Sequence, residues 1–183
     1  TLDQLRALDV GSWFSREFEG ERIPSLAEAL DLLAPTRLTV WAEVKGYREL
    51  EDLDRMARIV RDAGMVERTI FISLDFGIVD RIAGQDAEVG IGYVVSDAEE
   101  VGTAIGKASA LGDRGLVDYD RRLLLADDTL AARTLMSGAS VATWTVDDVG
   151  EAETVVAQGV RRITTNRVSE LLRWREQRGP GEG

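Results

Sequence analysis

Six times along this chain a short run of apolar, largely β-branched residues is followed, across a few polar or glycine residues, by a segment with helical spacing. The runs are 37–45 (RLTVWAEVK), 69–74 (TIFISL), 89–95 (VGIGYVV), 115–119 (GLVDY), 140–146 (SVATWTV) and 161–165 (RRITT). After the first, residues 48–63 carry Leu50, Leu53, Ala57 and Val60 as the expected buried stripe. Helices are also expected at "GIVDRIA", at "DAEEVGTAIGKASALG" despite its internal glycines, within "DDTLAARTLMSG", at "DDVGEAETVVAQG" and through "VSELLRWREQR". In the fourth of these, Val149, Ala152, Val155 and Val156 face inward. Apolar strands joined by helical crossovers form a parallel sheet covered by helices. The expected fold class is therefore α/β.

Two architectures fit this pattern: an open doubly wound sheet, or a (β/α)8 barrel of the TIM type. No GxGxxG or GxxxxGK[ST] follows any strand, which takes weight from nucleotide-binding open sheets. Polar residues gather at the C-terminal strand ends: Glu43 with Lys45, Ser73 with Asp75, Asp118 with Asp120, Trp144 with Thr145, and Thr165 with Asn166. A barrel keeps its active site there, and open sheets share the tendency. A complete barrel takes roughly 250 residues and eight strands. The expectation is an incomplete barrel over residues 1–178, with about six of eight βα units, and a frayed tail at 179–183. Residues 1–23 are irregular after a short helical start. Ser25 and Glu28 then form a capping box for a helix whose apolar face is Leu26, Ala29, Leu30 and Leu33.

Within 37–45 the strand period puts Thr39, Trp41, Glu43 and Lys45 on one face, and Leu38, Val40, Ala42 and Val44 on the other. A carboxylate and an ammonium thus point the same way at the strand's C-terminal end. Spacing alone leaves open a catalytic pair or an ion pair that satisfies itself. The 183 residues contain no His and no Cys. That excludes an imidazole base, a His-ligated metal, thiol catalysis, disulfides and zinc–thiolate sites. Net charge is −11, from 33 acidic against 22 basic side chains, which disfavours nucleic acid as a partner. No signal peptide is visible in these residues and no apolar run nears the roughly 20 residues of a membrane helix, so a cytoplasmic location is the expectation.

The remaining polar residues have ordinary readings. Asp75 caps the next helix or takes part in its chemistry, an open choice. Asp118 and Asp120 raise the question of a second cation site, but an acidic loop after a short strand is preferred. Asp148 with Glu151 reads as a helix-capping pair, and Trp41 as filling of the lower barrel interior. Trp174 reads as packing, and Arg161, Arg162 and Arg167 as a surface cluster.

Several stretches together resemble one family, the glycerophosphodiester phosphodiesterases. "LRALDVGSWFSREFEGERIPSLAEALDLL" is similar to the segment leading into that family's second barrel helix, and "WAEVKG" to the Glu-x-Lys strand that follows. "ISLD" resembles its Ser-Phe-Asp strand end, with Leu74 in place of Phe. "TWTVDD" resembles its Trp-Thr-Val strand, and "GVRRITTNRVSELL" its closing strand and helix. The resemblance implies a (β/α)8 barrel that hydrolyses glycerophosphodiesters to glycerol 3-phosphate and an alcohol, using a divalent metal, Mg²⁺ or Ca²⁺, and two His residues. It implies Glu43 as a carboxylate metal ligand and Lys45 as the phosphate-contacting cation. Trp144 would line the substrate pocket, although its strand face with Ala142 and Val146 suits core packing equally; Trp13 and Phe14, in the family's inserted region, would shape the glycerol side. The family's His-Arg, Glu-x-Asp and His-Asp segments have no match in this chain. The expectation is then the C-terminal part of such an enzyme, inactive alone. The alternative is a degenerate, non-catalytic barrel that binds a phosphoester or a partner protein. A phospholipase-D-like toxin barrel would carry Cys, and there is none.

Overall fold

Each strand of the sheet lies beside the one that precedes it in the chain. A computed structural model describes residues 1–178, so the tail expected at 179–183 lies outside the described residues. The strands are β1 (Val40–Glu43), β2 (Thr69–Ser73), β3 (Gly90–Val95), β4 (Gly115–Asp120), β5 (Ser140–Trp144) and β6 (Arg162–Ile163). All neighbours pair in parallel, and the spatial order is β1-β2-β3-β4-β5-β6. A doubly wound sheet reverses its strand order at a switch point. This sheet never reverses, which is the (β/α)8-barrel progression, here with six strands.

The helices are α1 (Leu2–Arg6), α2 (Leu26–Leu33), α3 (Leu50–Asp62), α4 (Phe76–Gln85), α5 (Val101–Ala110), α6 (Arg121–Ala126), α7 (Leu130–Met136), α8 (Val149–Ala157) and α9 (Val168–Gln177). Phe71, Ile91, Tyr93, Val95, Val117, Tyr119 and Val141 form the sheet's outer face and are buried with Leu30, Leu53, Val60, Ile82 and Leu124 from the helices. The alternate residues face the interior. Along one inner row the register runs Glu43, Ile72, Gly92, Leu116, Ser140. A Cβ on Gly92 would sit 2.7 Å from Ile72 Cγ2 and 3.0 Å from Leu116 Cδ2, so these neighbours already fill that place. Below this row a cavity of about 700 Å³ opens at the N-terminal strand ends, lined by Trp41, Ile70, Leu116 and Arg162 among others. Trp41 is thus an interior residue of the lower barrel, as its strand face suggests.

Several local expectations hold. Ser25 Oγ accepts from Glu28 N–H at 3.2 Å while Ser25 N–H donates to Glu28 Oε2 at 2.8 Å, closing the capping box of α2. Asp75 Oδ1 caps α4 through Gly77 N–H at 2.9 Å, and Asp148 caps α8 through Glu151 N–H at 3.0 Å. Others need correction. The first strand is Val40–Glu43 rather than 37–45, because the register with β2 runs from Val40 to Glu43. Leu50 is 49% exposed rather than part of the α3 stripe: it is the first residue of that helix and projects from its N-terminal turn. α6 is an element the sequence did not announce, since six residues are too short to display a helical period. Asp118 and Asp120 are not a loop but the inner half of β4, and both are buried. Arg162 is exposed, as a surface residue should be, and also lines the mouth of the lower cavity.

Candidate active site

The upper end of the interior is built from the C-terminal ends of β1, β4 and β5. Val44 N–H donates to Ile72 O at 2.9 Å, carrying the β1 ladder one residue past the strand's formal end. Val44 is buried on the outer face, which leaves Glu43 and Lys45 together on the inner one. Ser73 ties the strand ends together: its Oγ donates to Val44 O at 2.7 Å and accepts from Asp75 N–H at 3.1 Å. Lys45 Nζ lies 3.3 Å from Glu43 Oε2, with the two side chains 80% and 37% exposed. A pair this exposed contributes roughly 0–1 kcal/mol, so a stronger partner for either charge displaces it readily.

Trp144 sits at the C-terminal end of β5, half-buried. Its Nε1–H donates to the backbone oxygen of Asp118 at 3.2 Å, which lays the indole toward β4. The loop after Trp144 is held by Asp147, which accepts from Thr165 Oγ1 (3.0 Å), Asn166 N–H (2.7 Å) and Asn166 Nδ2 (2.9 Å). Asn166 in particular keeps the Asp147 carboxyl below the usual carboxylate range.

Asp118 is the residue whose importance the sequence did not reveal. It is 2% exposed and pairs in register with Val94 and Ala142, both buried. Its Oδ1 has no hydrogen-bond partner. Burial, and after it the negative charge of Glu43, push its pKa up to about 7. The available signal was the alternation Leu116, Asp118, Asp120, which puts carboxylates on a strand's inner face. Asp120 differs from its neighbour: Arg122 grips it at 2.9 and 2.7 Å and holds its carboxyl below the ordinary range.

Trp13 and Phe14 are exposed and meet edge to face at 5.8 Å. Their loop is organised by Asp9, which accepts N–H bonds from Ser12, Gly20 and Gly11. Ser12 foremost, these bonds lower its pKa to about 2. Trp174 packs beside Leu171, donates to Glu153 Oε1 at 3.2 Å and stacks under Arg178, in agreement with a packing role.

The donors at the upper interior are carboxylate oxygens, suited to a hard divalent cation. Among the described residues no three or more carboxylates converge as a metal cage. Glu43, with the orphaned oxygen of Asp118 opposite, fits an ion of the Mg²⁺ kind, which keeps several waters and takes one or two protein carboxylates plus substrate oxygens.

Comparison with known proteins places these features in company. The profile of the glycerophosphoryl diester phosphodiesterase family matches residues 1–170. A glycerophosphodiester phosphodiesterase of Caldanaerobacter subterraneus subsp. tengcongensis is 23% identical over 188 aligned residues, covering 94% of this chain and 70% of that protein. The crystal structure of a glycerophosphodiester phosphodiesterase from Parabacteroides distasonis superposes with a TM-score of 0.79 at 21% identity, over 97% of this chain and 71% of the other. An Oleispira antarctica phosphodiesterase, solved in complex with the product sn-glycerol-3-phosphate, superposes with a TM-score of 0.71 at 19% identity, over 91% and 67%.

Proposed function

The chain belongs to the glycerophosphoryl diester phosphodiesterase family, and from that premise we propose that it forms the metal- and phosphate-binding side of a site for glycerophosphodiester hydrolysis. Hydrolysis of glycerophosphodiesters is the chemistry that the family and the names of its relatives support. The reading of this chain's part rests on one observation: Glu43 and Lys45 share the inner face at the C-terminal end of β1, with their charges 3.3 Å apart.

In this reading Glu43 supplies a carboxylate to a divalent cation, Mg²⁺ or Ca²⁺. When bound, such an ion polarises the phosphoryl group and stabilises the charge that develops on it. Lys45 turns from Glu43 to the phosphodiester oxygens, adding a point charge beside them. Trp144, fixed by its bond to β4, offers an indole face as a wall for the glycerol or alcohol portion. Proton transfer is missing. The chain has no imidazole, so the exchange that takes a proton from the attacking hydroxyl and returns one to the leaving alkoxide has no counterpart here. Binding without turnover is the consequence. The same lack of His supports the second reading, a non-catalytic barrel that binds a phosphoester.

Calorimetric titration of the full chain with sn-glycerol 3-phosphate tests the proposal. Binding is expected with Mg²⁺ present and absent in EDTA, and Lys45→Ala is expected to weaken it by about tenfold or more, the scale of one charge-assisted contact. Binding indifferent to Mg²⁺ and to Lys45→Ala would overturn it.

A further inference from the structure

Asp118 stands outside the roles just assigned. Its carboxyl lies between the inner-row neighbours Val94 and Ala142, neither of which offers a hydrogen bond. The side-chain contact at this residue, from Trp144 Nε1, goes to its backbone oxygen and leaves Oδ1 without a partner. Arg162, in the same register row beyond Ala142, lines the lower cavity instead. A buried carboxylate oxygen without a partner costs about 1–3 kcal/mol of unrecovered desolvation. Packing gives no reason for the residue, since Val or Leu would fill the place between Val94 and Ala142 without that penalty.

Val117 and Tyr119 are buried on the outer face of β4, so the alternation turns Asp118 to the interior, as it turns Glu43 at the C-terminal end of β1. Two carboxylates directed into one interior are reconciled by a cation between them. An oxygen donor, buried, orphaned and turned to the same interior as Glu43, is what a hard divalent ion requires of a second ligand.

We propose that Asp118 is a second carboxylate ligand of the interior divalent cation, supplied from β4 opposite Glu43 on β1. The inference rests on the reading of Glu43 as a metal ligand. The cation then has two protein carboxylates anchored on strands three places apart in the sheet, which fixes its position from two sides. Lys45, released from Glu43, and Trp144, bonded to the Asp118 backbone, flank that position.

The test uses Mn²⁺ alone, with free Mn²⁺ followed by electron paramagnetic resonance during titration of the full chain and its Glu43→Gln, Asp118→Asn and doubly substituted variants. Thermal melts with and without Mn²⁺ are recorded in parallel. One site is expected in the unsubstituted chain, with each single substitution weakening it by about tenfold or more, since charge count sets affinity at such sites. The double variant is expected to lose the site. Mn²⁺ is expected to raise the melting temperature of the unsubstituted chain and not that of Asp118→Asn, whose metal-free melting temperature is no lower than the parent's. If Asn is not accommodated at the position, Asp118→Ala is titrated in its place with the same expectations. Weakening by Glu43→Gln with Asp118→Asn unaffected would overturn the inference and leave Glu43 as a ligand. Binding unaffected by either substitution, or no binding by the unsubstituted chain, would overturn both.

Discussion

Glu43 and Lys45 are two residues apart on a strand, and the period of 2 alone puts both charges on one face. What the spacing left open was whether the pair is self-contained. Its geometry answers in part: an ion pair at 3.3 Å with an ammonium 80% exposed is held too weakly to be the reason for either residue. Asp118 shows the converse. Its strand position was readable, but its isolation was not, because burial and the lack of a partner arise from Val94 and Ala142 on neighbouring strands. Trp144 is tied to that residue by a single hydrogen bond. Trp144→Phe keeps the aromatic face and removes the bond, so a loss of about 0.5–1.5 kcal/mol is expected in chemical denaturation, with sn-glycerol 3-phosphate affinity changed less than by Lys45→Ala. A Phe variant that loses binding altogether would show that the indole N–H, and not the ring face, serves the ligand.

The elements were mostly legible, because parallel strands buried on both faces and amphipathic helices leave strong periodic signals. α6 was not, being too short, and Leu50 fits the period of α3 yet projects from its N-terminal turn, which the buried stripe does not reach. Two packing features carry predictions at this scale. Gly115 opens β4 where a Cβ would collide with the backbone oxygen of Ala108 at the end of α5. Backbone cannot yield there as a side chain would, and Gly115→Ala is expected to cost about 2 kcal/mol or more, read from the urea midpoint. Asp86 joins α3 to the turn before β3: its carboxylate accepts Arg61 Nε and Nη2 at 3.2 and 2.8 Å and Glu88 N–H at 2.9 Å. Burial pushes its pKa up, but the Glu88 N–H and the Arg61 guanidinium outweigh that and leave it lowered. A carboxyl lowered on folding contributes stability that is fully present above its unfolded value, and loses it as pH falls through its folded one. Asp86→Asn is therefore expected to cost about 1–3 kcal/mol at pH 7. The difference from the parent should shrink as pH falls below about 4. A difference that stays constant down to pH 2 would contradict this assignment.

For the whole molecule, the strand order decides between barrel and open sheet, and it could not be read from the chain, since both architectures share the same βα repeat. Among the described residues β1 pairs only with β2 and β6 only with β5. Beside β6, Val156, Ile163, Leu171, Leu172 and Trp174 line an apolar groove of about 520 Å³. Unpaired strand edges with apolar surface beside them seek partners. Concentration-dependent association is accordingly expected in sedimentation velocity, and a monomer that stays monodisperse at high concentration would contradict it. The interior presents the more specific claim, that the upper ends of β1, β4 and β5 hold a divalent cation and a phosphate between them. Crystals of the chain soaked with Mn²⁺ and sn-glycerol 3-phosphate test it most directly, through the anomalous difference map. The account predicts one strong manganese peak within coordination distance of Glu43 and Asp118, with phosphate density beside Lys45. A peak elsewhere on the surface, or an interior with none, would contradict it.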